Sequence, residues 1–126
     1  MSLYKSKRNV LLHDAFRFDS PDNDLKPLMI TIKKRNLDGI SCANVADYLF
    51  ENIYKILDSD EETEYGLIII DFQNVTNIGA PFLQKYIRYC LTTKFKVLNI
   101  NMSLSGQKLY SQIIMSSFSF DTNNEL

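Results

Sequence analysis

The sequence has too little glycine, histidine and cysteine for several common kinds of functional site. Its four glycines, Gly39, Gly66, Gly79 and Gly106, stand apart from one another, so neither a phosphate-binding loop nor a dinucleotide-binding fingerprint is present. One histidine and two cysteines are too few for a structural zinc site. These absences exclude the most recognisable nucleotide and metal motifs.

An excess of one charge and long apolar runs are also lacking. The net charge is −1, whereas non-specific nucleic-acid binding needs many Lys and Arg. No apolar run approaches the roughly 20 residues that span a bilayer, and residues 10–12 are followed at once by His13 and Asp14, which is unlike a signal peptide. Without a secretion signal, Cys42 and Cys90 are expected to be reduced thiols. We therefore predict a cytoplasmic protein with neither a nucleic-acid nor a membrane partner.

The bulk composition is that of one globular domain. The chain has 126 residues, of which 45% are hydrophobic and 23% charged, which is ordinary for a folded domain of this size. We expect a single domain over residues 10–120, with flexible termini at 1–9 and 121–126.

An unbroken apolar run in the middle of the chain predicts the central strand. Residues 67–70 read Leu-Ile-Ile-Ile, which favours a strand over 67–72 covered on both faces. A turn over 73–78 follows, and Pro81 suits the first turn of a helix because it lacks an N–H that has no partner there. The expected apolar stripe of this helix comprises Phe82, Leu83, Tyr86, Ile87, Cys90 and Leu91.

The remaining elements follow from apolar periodicity. An edge strand within 10–18 and a strand over 28–34 are expected to form an antiparallel hairpin, with Leu28, Ile30 and Ile32 on one face. The rest of the chain is expected to form, in order, a turn at 36–39, a helix over 43–57, a charged connector at 58–64, a strand over 95–102, a short last helix through 109–114 and extended chain at 118–120.

These elements define an α/β fold. We predict a single-domain mixed β-sheet of four to five strands with three helices packed on it, in the order β-β-α-β-α-β-α. The strands at 67–72 and 95–102 are separated by one helix, so they are expected to be parallel.

No catalytic residue can be assigned. His13 and Asp14 are neighbours, but a general base needs a nucleophile or substrate proton within reach, and no such motif surrounds them. Cys90 lies on an apolar stripe, where a cysteine is typically a small buried hydrophobe. An enzyme acting through His13 or Cys42 is therefore disfavoured, and we predict that the protein is not an enzyme.

The acidic connector resembles a calcium-binding loop only in part. Asp58, Asp60 and Glu62 occupy its first, third and fifth places. The loop also requires glycine at the sixth place and glutamate at the twelfth, where this chain has Thr63 and Ile69. We expect neither a metal nor a cofactor.

Asp71, at the end of the central strand, has two interpretations. An aspartate at such a position commonly accepts hydrogen bonds from the backbone N–H groups of the following turn, which is the favoured reading. Open α/β sheets also bind ligands at the carboxyl ends of their strands. The alternative is therefore a small-ligand or nucleotide site made by Asp71, Asn99 and Asn101.

The segment 69–83, Ile-Ile-Asp-Phe-Gln-Asn-Val-Thr-Asn-Ile-Gly-Ala-Pro-Phe-Leu, resembles the central motif of STAS domains. That family includes bacterial anti-sigma factor antagonists and the C-terminal parts of sulfate transporters. The shared pattern is an apolar strand, an aspartate, a polar turn with valine, an apolar residue and a short loop that opens a helix. The element order over residues 28–118 fits the family as well.

The resemblance implies a non-enzymatic regulatory module of the bacterial cytosol. Such modules bind a kinase-like ATPase or another regulator through the loop and the start of the following helix. In the antagonists this loop reads Asp-Ser-Ser-Gly and one serine is phosphorylated, whereas positions 79–82 here read Gly-Ala-Pro-Phe, so we expect no phosphorylation there. By this resemblance, the expected partner-binding residues are Asn77, Gly79, Ala80, Pro81, Phe82, Lys85 and Arg88.

Self-association is a further expectation. Four tyrosines, Tyr48, Tyr54, Tyr86 and Tyr89, fall on the two main predicted helices. Tyrosine is enriched at protein interfaces, which favours a homodimer.

Overall fold

The main sheet contains four strands. The computed structural model describes residues 15–19, 27–59 and 67–125, with backbone alone for 58–59 and 117–125. In their order across the sheet, and numbered along the chain, the strands are β1 (Phe16–Asp19), β2 (Leu28–Ile32), β4 (Leu67–Asp71) and β6 (Lys96–Ile100). β1 and β2 are antiparallel, and β4 is parallel to both β2 and β6. The predicted hairpin, edge strand and parallel pair are confirmed, and the fold is mixed α/β.

The central strand is fully covered on one face only. Ile68 and Ile70 are fully buried, whereas Leu67, Ile69 and Asp71 are half-buried. The expectation of cover on both faces was therefore wrong. An apolar run alone does not distinguish a doubly covered strand from one whose second face is partly open, because both tolerate isoleucine.

A second, two-stranded sheet lies where the sequence predicted only turns. β3 (Asn36–Leu37) and β5 (Asn77–Ile78) pair in parallel. The backbone N–H of Thr76 donates to the carbonyl of Arg35 at 2.9 Å, next to this pair. Two-residue strands are too short to display the alternation by which strands are recognised.

Two amphipathic helices cover the buried face of the main sheet. α1 (Cys42–Ser59) and α2 (Ala80–Thr92) share one core with the strands. Phe50 of α1 is fully buried and stacks on Tyr89 of α2, with ring centroids 4.6 Å apart. Most of the predicted stripe on α2 is confirmed, but Leu91 is 67% exposed, so the stripe ends at Cys90, which packs against the core.

The last helix is longer than the sequence predicted. α3 runs from Leu104 to Glu125, so the segment expected to be extended at 118–120 and the tail at 121–125 are helical in backbone. Its first half packs against α2 and β5. No helix in the described part of the chain is long and apolar enough to cross a membrane.

Several predictions fall outside the described residues. These are the flexible segment 1–9, most of the acidic connector at 58–64, and His13 with Asp14.

Candidate functional site

The start of α2 is held in place by the small sheet. The backbone N–H of Gly79 donates to the carbonyl of Leu37 at 3.0 Å, and that of Leu83 donates to the carbonyl of Gly79 at 3.1 Å. Gly79 thus ends the pairing of β5 and caps α2. Pro81 lies in the first turn of the helix. A backbone N–H at this position would have no partner within the helix, so the helix loses no hydrogen bond to proline.

Gly79 is required for space rather than for backbone conformation. Its φ of −121° is extended backbone, which any residue adopts. A Cβ at this position would overlap the Oδ1 atom of Asp38 and lie 3.0 Å from its Cα atom. The loop after β3 and the loop after β5 therefore approach each other more closely than any other residue would permit.

The start of α3 also packs closely against β5. A Cβ on Gly106 would lie 3.0 Å from the Cγ2 atom of Ile78 and 2.9 Å from the Cγ atom of Met102. The backbone N–H of Gly106 donates to Ser103 Oγ at 3.2 Å, which satisfies one of the free donors of the first turn. Loop 38–41 before α1 and the first turns of α2 and α3 are thus brought together around β5.

This end of the molecule exposes apolar side chains. Ile40, in the loop before α1, is 89% exposed, and Leu104, the first residue of α3, is 77% exposed. The segment 77–81 is next to both loops, because Gly79 approaches Asp38 and Ile78 approaches Gly106. It contributes Asn77, which is exposed, and Ala80 and Pro81, which are half-buried. We call these five residues the end surface. Exposed apolar groups gathered at one place are typical of interaction sites.

Of the predicted partner-binding residues, three lie on the end surface and two lie beneath it. Asn77, Ala80 and Pro81 are accessible, whereas Gly79 is buried and Phe82 has no exposed area. The last two therefore shape the surface from below and do not form part of it.

Lys85, also predicted to bind a partner, is engaged within the molecule. Its Nζ atom lies 3.2 and 3.1 Å from the two carboxylate oxygens of Asp47 on α1. Tyr89 donates its hydroxyl to the same carboxylate at 2.6 Å, and this hydrogen bond is the main cause that raises the pKa of Tyr89 to about 12. A Lys85→Glu variant would place two carboxylates together, so it cannot separate binding from stability.

Arg88 differs from Lys85. It is exposed on α2, and its guanidinium has no ion-pair or hydrogen-bond partner among the side chains that the structure describes. It lines a groove of about 720 Å³ between α2 and α3. Ala80 lines the same groove and is also part of the end surface.

The alternative ligand residues are not all brought together. Asp71 Oδ1 accepts hydrogen bonds from the backbone N–H of Gln73 at 2.9 Å and from Asn101 Nδ2 at 3.0 Å. The favoured reading, in which Asp71 caps the following turn, is confirmed. Asn99 pairs with Ile70 of β4, so it lies on the helix-facing side and accepts a hydrogen bond from the hydroxyl of Tyr86.

A second, polar groove of about 390 Å³ lies beyond the end of β6. The described residues that line it carry no formal charge and include Asn99 and Asn101 but not Asp71. The full set is Asn99, Asn101, Met102, Gln107, Tyr110 and Ser111. A site for a small ligand therefore remains a prediction, and the groove that would form it is not lined by the Asp71 carboxylate.

The described residues offer no group of three His, Cys, Asp or Glu side chains that is able to hold a metal ion. Cys42 is buried and Cys90 half-buried, and both are free thiols. Burial raises the pKa of Cys90 to about 12, so this thiol is protonated at neutral pH and is a poor nucleophile.

The four tyrosines proposed for an interface belong to the core or pack against it. Tyr86 is fully buried, and the other three pack against the core. Tyr48 stacks on Phe16, and Tyr54 and Tyr89 contact Phe50. A homodimer stays a prediction without support from these residues.

Sequence reasoning missed Ile40 and Leu104. Each is a lone apolar residue among polar neighbours, directly at the start of a helix, in Asp-Gly-Ile-Ser and Met-Ser-Leu-Ser. Neither residue belongs to the apolar stripe of a helix or strand, and this was the signal in the sequence that could have indicated their exposure.

Comparison of the chain with known protein families, with curated proteins and with solved structures found no match in any of the three.

Proposed function

We propose that this protein is a STAS-like regulatory module of the bacterial cytosol that binds a protein partner through the end surface. The observation that carries the proposal is the exposure of Ile40 and Leu104 on either side of the start of α2. Removing such side chains from water on binding contributes about 25 cal/mol per Å² of apolar area. Binding through this surface requires no catalysis.

The chemistry of the surface favours a protein over other partners. It carries no charged side chain among its five residues, and nucleic-acid binding depends on cations that contact phosphates. Positions 79–82 contain no hydroxyl, so regulation by phosphorylation at this loop is not part of the proposal. A kinase-like ATPase or another regulator is the partner class that the resemblance to STAS domains implies.

The double variant Ile40→Asp with Leu104→Asp is expected to weaken partner binding by at least about tenfold, since each change places a carboxylate in a desolvated contact. Stability should be little changed, because both side chains are exposed and an aspartate at the start of α3 interacts favourably with the helix dipole. The measurement is the Kd of a partner first isolated from an extract of the source organism with the wild-type protein as bait.

Met115→Asp is the matched control for this experiment. Met115 is also on α3 and is 68% exposed, and it lies eleven residues beyond Leu104, which is about 16 Å along the helix. Equal weakening by the control, or unchanged affinity of a well-folded double variant, would contradict the end surface as the binding site.

A further inference from the structure

The groove between α2 and α3 has an apolar floor. Ile87 and Leu91 of α2 face Leu109 and Ile113 of α3 across it. Ile87 is almost completely buried, but Leu91 is 67% exposed, so the apolar floor continues to the surface of the protein. The rim is polar and consists of Gln84, Thr92, Gln112 and Ser116.

Arg88 is the one charged residue among the described side chains that line this groove. The other cation in the middle of α2, Lys85, is paired with Asp47, whereas the guanidinium of Arg88 is paired with no described side chain. Arg88 does not stabilise the end of α2 either, since the last turn of that helix contains no basic residue. The groove therefore presents an unpaired positive charge beside apolar side chains, which is complementary to a carboxylate next to an apolar row.

The groove also fits one type of secondary structure. Both of its walls are helices, whose backbone groups are bonded internally, so they offer no free edge to an extended peptide. A helix satisfies its own backbone hydrogen bonds and can lie against apolar side chains. From Ala80 to Thr92 the α2 wall is about 18 Å long, which corresponds to some three turns of a bound helix.

We propose that the groove between α2 and α3 binds an amphipathic helix of the partner, which places apolar residues at i, i+3 or i+4, and i+7 on Leu91 and its neighbours and a carboxylate on Arg88. Ala80 belongs both to the groove and to the end surface, so the helix continues the contact made there. The inference deepens the proposed function and rests on it for the claim that one partner makes both contacts.

The test is selection of binding peptides, which needs no identified partner. A phage-displayed library of random peptides of roughly 15 residues, enough to fill the groove, is selected on the immobilised full-length protein. The selected peptides are expected to share the apolar spacing with one Asp or Glu. Their affinity should fall by roughly tenfold or more for Arg88→Glu and for Leu91→Glu.

Two controls separate the groove from general changes of charge and polarity. Lys108→Glu makes the same change of charge on α3 at an exposed position outside the groove, and Met115→Glu matches Leu91→Glu in exposure. Both are expected to leave peptide binding unchanged. Replacing the acidic residue of a selected peptide with lysine should restore its binding to Arg88→Glu.

The proposal is overturned if no peptide is selected, if the selected peptides lack the pattern, or if they bind Arg88→Glu as well as they bind wild type. The outcome is independent of the end surface. Peptides that depend on Arg88, together with an isolated partner that is indifferent to Ile40→Asp and Leu104→Asp, would retain the groove and reject the proposed function. An isolated partner that depends on Ile40 and Leu104, together with peptides that bind Arg88→Glu as well as they bind wild type, would retain the proposed function and reject the groove.

Discussion

Ile70→Ala is expected to lower the free energy of unfolding by about 2–5 kcal/mol, the range for truncating a fully buried isoleucine. Ile70 has no exposed area and lies on the central strand beneath the helices, paired with Ile30 of β2 and Asn99 of β6. Closing the cavity would require several elements to move together, so little of the loss can be recovered. Urea unfolding followed by circular dichroism measures the change.

The preceding residue supplies the matched control. Ile69 has the same side chain on the same strand but lies on the opposite, half-open face, so Ile69→Ala should cost only about 1 kcal/mol. Equal losses for the two variants would mean that both faces of β4 are covered in solution, and the one-sided arrangement described above would be incorrect.

Gly79→Ala is expected to lower the free energy of unfolding by about 1–3 kcal/mol, the usual cost of inserting atoms into a filled space. The new methyl group would lie 3.0 Å from a backbone atom of Asp38, which cannot rotate away as a side chain can. The loops after β3 and β5 must therefore separate, and the end surface must change shape. The same variant should consequently bind the partner less tightly.

Gly39→Ala is the control for this prediction. A Cβ at Gly39 would meet Cys42 Sγ at 3.7 Å and Ser41 Oγ at 3.9 Å, which are ordinary contacts, so its stability should change little. If Gly79→Ala were as stable as Gly39→Ala, the close approach of the two loops would not exist in solution.

Periodicity was sufficient to predict the large elements. The isoleucine run gave β4, and repeats of three and four residues gave α1 and α2. The alternation of Leu28, Ile30 and Ile32 correctly assigned the buried face of β2. These segments are long enough for the apolar pattern to exceed chance.

Short or weakly patterned segments were not predictable in the same way. β3 and β5 have two residues each, and their pairing joins Asn36 to Asn77 and Leu37 to Ile78, which are far apart in the sequence. In α3, Phe118 and Phe120 alternate with serine, so the local pattern indicated a strand although the backbone is helical. Local propensity is a weak prior that tertiary context overrides.

The sequence placed the predicted partner-binding residues along the chain but gave no information on their depth. The sequence pointed to the start of α2 and gave no information on which of its residues face the interior, so buried Gly79 and Phe82 were grouped with accessible Asn77. The pairing of Lys85 with Asp47 joins two helices, and no spacing rule within one helix reveals it. Contacts between elements decide which side chains remain available for binding.

Hydrogen–deuterium exchange of the protein alone and in complex with its isolated partner tests the central claim most directly, because binding slows exchange at covered backbone amides. We predict slower exchange in three segments that are distant in sequence, 38–41, 77–82 and 103–106, which together underlie the end surface. Slower exchange confined to other parts of the chain, such as β1 or β6, with these three segments unchanged, would contradict the account.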